Sequence, residues 1–239
     1  MKLKILLLAS VAWAAAPLSA AAGGMGAFAG IDVYGGAAFG SSRTTDGGAP
    51  AAGGSIVGDV RFGLTAGFGG HIGYRFDPST SVFISYQHVR GGIGWTADFP
   101  EYDLSSEFAG TAISNAVFGN VAYDHPLSDT IVLKGSLGLG MSLNTLSGVL
   151  ESDAKNNGDP VAHVAAHSQF NPAARVGAGV QHRIGPNAVL NLDASLIYVG
   201  GFATGDTRSG NVGPYTAINP YRIDDVLRAD LGASLRFQF

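Results

Sequence analysis

The 239-residue chain contains no cysteine, which excludes a disulfide framework and any thiolate metal site. It is poor in charge: Lys, Arg, Asp and Glu make up 13% of the residues, against about 25% in an ordinary soluble domain. The formal net charge is −4. That balance argues against a nucleic-acid partner. Past the N-terminal stretch, no apolar run reaches the ~18 residues that a membrane-spanning helix needs. The chain is instead rich in glycine, with 36 residues, and 46% hydrophobic overall. Few charges, abundant glycine and no spanning helix leave one way to live in lipid, a closed β-barrel.

The N-terminus reads "MKLKILLLASVAWAAAPLSAAAGG". Lys2 and Lys4 supply a basic start, residues 5–16 an apolar stretch, Pro17 a break, and residues 19–22 small cleavage points. This is the pattern of a secretory signal peptide. Residues 1–22 are read as the signal and 23–239 as one barrel domain.

The last thirteen residues, "LRADLGASLRFQF", alternate without exception. Leu227, Ala229, Leu231, Ala233, Leu235, Phe237 and Phe239 are apolar, and every residue between them is polar or glycine. A period of two places the apolar set on one face of a strand. Such a window arises by chance about once in 10,000 in a chain of this composition. Seven further segments repeat the pattern, at residues 28–39, 62–76, 81–92, 110–123, 131–143, 173–184 and 189–199. Phe83 breaks phase in the third of them.

The connections alternate in length. Residues 77–80, 125–130 and 185–187 are short and each contains proline, while 40–61, 95–109, 144–167 and 200–225 are long. Proline and its polar neighbours form turns. Eight strands with three short turns at one end and four long loops at the other make an all-β, up-and-down antiparallel barrel. In outer-membrane barrels the short turns are periplasmic and the long loops extracellular.

One phase carries Asp32, Arg75, Asp124, Lys134, Arg175, Arg183, Asp193, Arg228, Asp230 and Arg236. Periodicity leaves two orientations open. With the charges outward the chain is a soluble, lipocalin-like barrel around an apolar cavity. With the charges inward it spans a membrane. The terminal phenylalanine favours the second, as do the aromatics near strand ends (Tyr74, Phe76, Tyr123, Phe237 and Phe239), where a membrane girdle lies.

The phrases "NVAYDHPLSDTIVLKGSLGLGMS" and "AGVQHRIGPNAVLNLDASLIYVG", with the ending "SLRFQF", resemble the porin-like/opacity family of small Gram-negative outer-membrane barrels. That family in turn resembles the membrane domain of outer-membrane protein A. The resemblance covers residues 23–239 and implies localisation in the outer membrane after cleavage of the signal. It also implies that Leu235, Phe237 and Phe239 are read as a C-terminal signal by the barrel-assembly machinery. No periplasmic peptidoglycan-binding domain is expected after the barrel.

For chemistry, the ten inward-phase charges are the nearest thing to a site. They read either as a polar path for ions or small solutes, or as a paired network filling a barrel only wide enough for its own side chains. Glycines in the strands give those side chains room to fold over the wall. No G-x-S-x-G elbow or G-x-G-x-x-G loop occurs. His167 and Ser168 are adjacent, and Ser85 and His88 three apart, so each pair falls on opposite strand faces. His163 and His167 read as loop histidines. The stretch "WTADFPEYDLSSEF" holds Asp98, Glu101, Asp103 and Glu107 without a base and reads as a solvated acidic loop flanked by girdle aromatics.

The expected function is structural and surface-exposed: envelope integrity with loop-mediated adhesion or recognition. The alternatives are a narrow channel and an outer-membrane lipid-modifying enzyme. No catalytic residue, cofactor or metal site is expected. The partners expected are outer-membrane lipid and lipopolysaccharide, the assembly machinery, and a host or phage ligand at the loops.

Overall fold

A computed structural model describes residues 25–42, 44, 56–99, 103–154, 160–210 and 217–239. The signal-like stretch 1–22 and Glu101 lie outside the described residues. Ten strands follow one another: β1 (Gly26–Ser41), β2 (Ile56–Arg75), β3 (Thr80–Phe99), β4 (Leu104–Pro126), β5 (Ile131–Asp153), β6 (Pro160–Val164), β7 (His167–Arg183), β8 (Ala188–Ala203), β9 (Arg208–Gly210) and β10 (Arg222–Gln238).

Eight of them close a ring in the order β1-β2-β3-β4-β5-β7-β8-β10. All its pairings are antiparallel, and β10 returns to β1 in a register running from Phe28↔Gln238 to Phe39↔Leu227. The two short strands stand outside the ring, β6 on β5 and β9 on β6.

The short connections are tight turns. Asp77 accepts the backbone N–H groups of Ser79 at 2.7 Å and Thr80 at 2.8 Å, and these bonds hold its carboxyl below the usual range. Ser128 and the Ile131 carbonyl close the second turn, and Ile184 N–H donates to Ala188 across the third.

Side-chain direction resolves the question of phase. In the terminal strand Leu227, Leu231, Phe237 and Phe239 are exposed, while Arg228, Asp230, Ser234, Arg236 and Gln238 are buried in the lumen. The same holds on β5, where Leu133, Leu137, Leu139 and Met141 face out. The soluble, inverted barrel is therefore excluded. Two inward glycines make room for rings: a Cβ on Gly73 would lie 2.6 Å from the Phe28 ring, and one on Gly69 3.1 Å from Tyr34. Phe83, the residue out of pattern, packs inward against Phe28.

The strands are longer than their alternation indicates. Of residues 95–109, read as a loop, 95–99 and 104–109 are the upper part of a β3–β4 hairpin paired as far as Phe99↔Leu104. Much of 144–167 belongs to β5 and β6 in the same way. In this upper stem the pattern inverts. On β3 the inward residues change from Ser81, Ser85 and Gln87 to Val89, Ile93, Trp95 and Ala97. Outward residues change from Val82, Ile84 and Tyr86 to Thr96 and Asp98. Below the change the strand faces an apolar medium outside. Above it, the outside is water and the apolar phase turns in.

This arrangement predicts the effect of a charge on the outward face. Leu139 is 76% exposed near the middle of the belt, and Leu139→Arg is expected to cost about 2–4 kcal/mol of stability in lipid. Urea titration in vesicles measures it, and an unchanged midpoint would put that face in water.

Candidate functional site: a filled lumen under an apolar stem

The lumen has two storeys. The lower begins at the short-turn end, where β2, β4, β7 and β10 each send a polar side chain inward. Arg75 pairs with Asp124, whose second oxygen accepts Gln181 Nε2 at 3.0 Å. Gln181 Oε1 accepts Arg236 at 2.9 Å, and Arg236 also lies over the Phe28 ring at 5.2 Å. A chain of bonds thus crosses the barrel from wall to wall.

Above it, His71 sits 3.0 Å from Asp32. Arg175 donates to Asp193 at 2.8 Å, and Asn191 holds the other oxygen of Asp193 at 3.0 Å. Higher still, Arg228 makes bonds of 3.0 and 2.7 Å to Asp230 and reaches Gln87 on β3 at 2.7 Å.

Nine of the ten inward-phase charges therefore lie within this storey, and Arg183 does not. It sits at the turn end and donates to the Asp129 carbonyl at 3.2 Å. Lys134 is within the storey but makes no ion pair among the described residues; its ammonium lies over the Phe83 ring at 4.7 Å. Sequence reasoning missed the neutral members Tyr34, His71, Gln87 and Gln181. Their signal was available, because each shares the strand phase of the charged residues.

Space inside is scarce. The cavity bordered by Lys134, His71 and Asp193 measures about 20 Å³, and those at Arg75 and at Arg228 about 30 and 20 Å³. Each has room for about one or two water molecules.

The upper storey is apolar. Trp95 is fully buried and stacks on Phe108 with centroids 5.2 Å apart, and Tyr221 leans on both. Leu146, Val149, Ile197, Phe202, Ile223 and Val226 complete the plug. Trp95 and Phe108 are thus core residues, a correction to their reading as girdle aromatics, and the described acidic residues Asp98, Asp103 and Glu107 belong to a hairpin. Ser105 donates to Asp98 at 2.6 Å, and Asp103 turns the chain with φ 48°. Glu151 bonds Ser106 and Arg208, pinning β9 onto the stem.

The serine and histidine pairs stay apart. Ser85 is buried and bonded by Asn120, whereas His88 faces out onto Asn115. Ser168 shares a hydrogen bond with Thr145. His163 falls in β6 and His167 opens β7, so neither lies in a loop.

A closed antiparallel ring with an apolar outward belt and a charged interior defines a transmembrane β-barrel. No protein-family model matches the chain, and no curated protein matches it. Among solved structures it is similar to Neisserial surface protein A, at 19% identity over 92% of this chain and 99% of that one, with a TM-score of 0.42. It is similar also to the outer membrane protein OprG of Pseudomonas aeruginosa, at 14% identity over 90% and 97% of the two chains, TM-score 0.49. A third is Ail, the attachment invasion locus protein of Yersinia pestis, solved with the heparin analogue sucrose octasulfate, at 17% identity over 90% and 99%, TM-score 0.44. These are proteins of the Gram-negative surface, the group the sequence resembles. The class itself rests on the ring and its belt.

Proposed function

We propose that the chain is an integral barrel of a Gram-negative outer membrane, with a closed lumen and a function carried by its rigid extracellular stem. The observation that carries this reading is the filled interior. Buried ion pairs occupy the lower storey, an apolar plug caps the upper, and the cavities between have room for a water or two. A stem of paired strands on a fixed wall suits envelope support and recognition of a surface ligand, because a binding face held by strands loses little entropy on contact. In this reading Leu235, Phe237 and Phe239, outward on the strand that closes the ring, are the residues met by the assembly machinery.

The competing reading is a channel. Single-channel recording of the refolded chain in a planar bilayer separates the two. A folded, silent barrel is expected. Stable openings that shift with Lys134→Ala or Arg175→Ala would overturn the closed lumen and make the interior a conduit.

A further inference from the structure

The outward belt carries a polar notch that nothing in the lumen explains. On β3, successive outward residues are Val82, Ile84, Tyr86, His88 and Arg90. A tilted strand crosses the hydrocarbon in about 9–11 residues. Counted from Ser81 at the short-turn end, the tenth residue is Arg90, so the notch lies at the outer edge of the belt. Asn115 stands opposite His88 on β4, and Phe68 opposite it on β2. The neighbouring outward positions Leu64, Ile113 and Val117 are apolar.

Within the notch the polar atoms are arranged. The Tyr86 hydroxyl donates to Asn115 Oδ1 at 2.8 Å, and His88 Nδ1 donates to the same oxygen at 2.9 Å. The Phe68 ring lies against the imidazole at 5.1 Å. With both donors on one oxygen, the Asn115 amide nitrogen is left as a donor without a partner among the described residues. Arg90 is exposed and likewise without a partner among them. An arginine alone at this depth could reach water by its length. The short side chain of Asn115, held by the His88 ring, cannot, and lipid tails satisfy no donor. What meets the notch from the outer leaflet must bring anionic oxygens on an apolar body.

We propose that Arg90, His88 and Asn115 form a docking site for the phosphorylated headgroup of an outer-leaflet lipid. The guanidinium takes two phosphate oxygens through its fork, and the Asn115 amide donates to a third acceptor. Phe68 and Leu64, both strongly exposed, flank the acyl chains. The inference rests on the outer-membrane reading, which sets the notch in the outer leaflet.

The test uses the full chain refolded in detergent and loaded with diphosphorylated lipid A or with the same lipid dephosphorylated, bound lipid being counted by native mass spectrometry. The chain is expected to retain the phosphorylated form about tenfold better, the worth of one charge-assisted hydrogen bond. Arg90→Gln abolishes that preference, Arg90→Lys keeps part of it, and Arg222→Gln, an exposed arginine above the belt on β10, leaves it intact. A preference that survives Arg90→Gln, or none in the unaltered chain, overturns the site. So does displacement of the lipid by millimolar inorganic phosphate, which would make the occupant a free anion. Heat-modifiable migration on a gel reports folding separately: a chain that never folds in detergent or lipid overturns the membrane reading itself, whereas a folded chain without lipid preference overturns the docking site alone.

Discussion

Replacing Asp124 with leucine is expected to lower the unfolding free energy in lipid by about 3–5 kcal/mol, the cost of stripping one partner from a buried ion pair. Asp124 is 1% exposed and, among the described residues, is the only carboxylate bonded to Arg75 and, through Gln181, to Arg236. Its loss leaves two guanidiniums in the lumen with no counter-charge between them. The double variant Arg75→Met, Asp124→Leu should recover most of the loss, because an apolar pair of similar volume can replace a buried ion pair at little cost. Urea titration in vesicles measures both. A single-variant loss under about 1 kcal/mol would mean that water reaches the pair and that the lower storey is open.

Trp95→Ala is expected to cost a similar amount, about 3–5 kcal/mol, by the cavity it leaves. That cost should fall on the stem alone. Trp95 is fully buried between Phe108 and Tyr221, whereas the belt below has its own cross-lumen bonds. Limited proteolysis should therefore cut the β3–β4 hairpin of the variant while its gel migration remains that of a folded barrel. The other tryptophan, Trp13, lies in the signal-like stretch, so Trp95 alone reports fluorescence from residues 23–239. Loss of the folded migration together with hairpin cleavage would show that stem and belt unfold as one unit.

How much of this was legible in sequence differs by region, for a physical reason. The belt was legible because lipid penalises exposed polar groups: a residue such as Leu139 or Phe237 meets hydrocarbon, and in the terminal strand the alternation is strict. The identity of the inward charges followed from the same phase. Their pairing did not, since Asp124 is as close in sequence to Lys134 as to anything, stands opposite it in register, and yet bonds Arg75 across the lumen. The stem was misread for a different cause. Its strands alternate too, as Ile93, Trp95 and Ala97 against Gly94, Thr96 and Asp98 show, but with the apolar phase on the other face. A reader expecting one phase per strand ends the strand where the phase changes. The notch at His88 went unread although residues 81–92 were assigned to a strand, because only the inward polar residues of that segment were weighed as a site.

The inversion along β3 also fixes how the molecule meets a bilayer of the wrong thickness. A single-pass helix can tilt or slide along the membrane normal until its apolar length fits. This wall has no such freedom. Raising it would lift the apolar outward residues below the notch, Tyr86 first, toward water, and lowering it would carry Thr96 and Asp98 toward the acyl chains. Any mismatch is therefore taken up by the surrounding lipid, which must thin or thicken locally. Each barrel would impose its own hydrophobic height on its lipid neighbours.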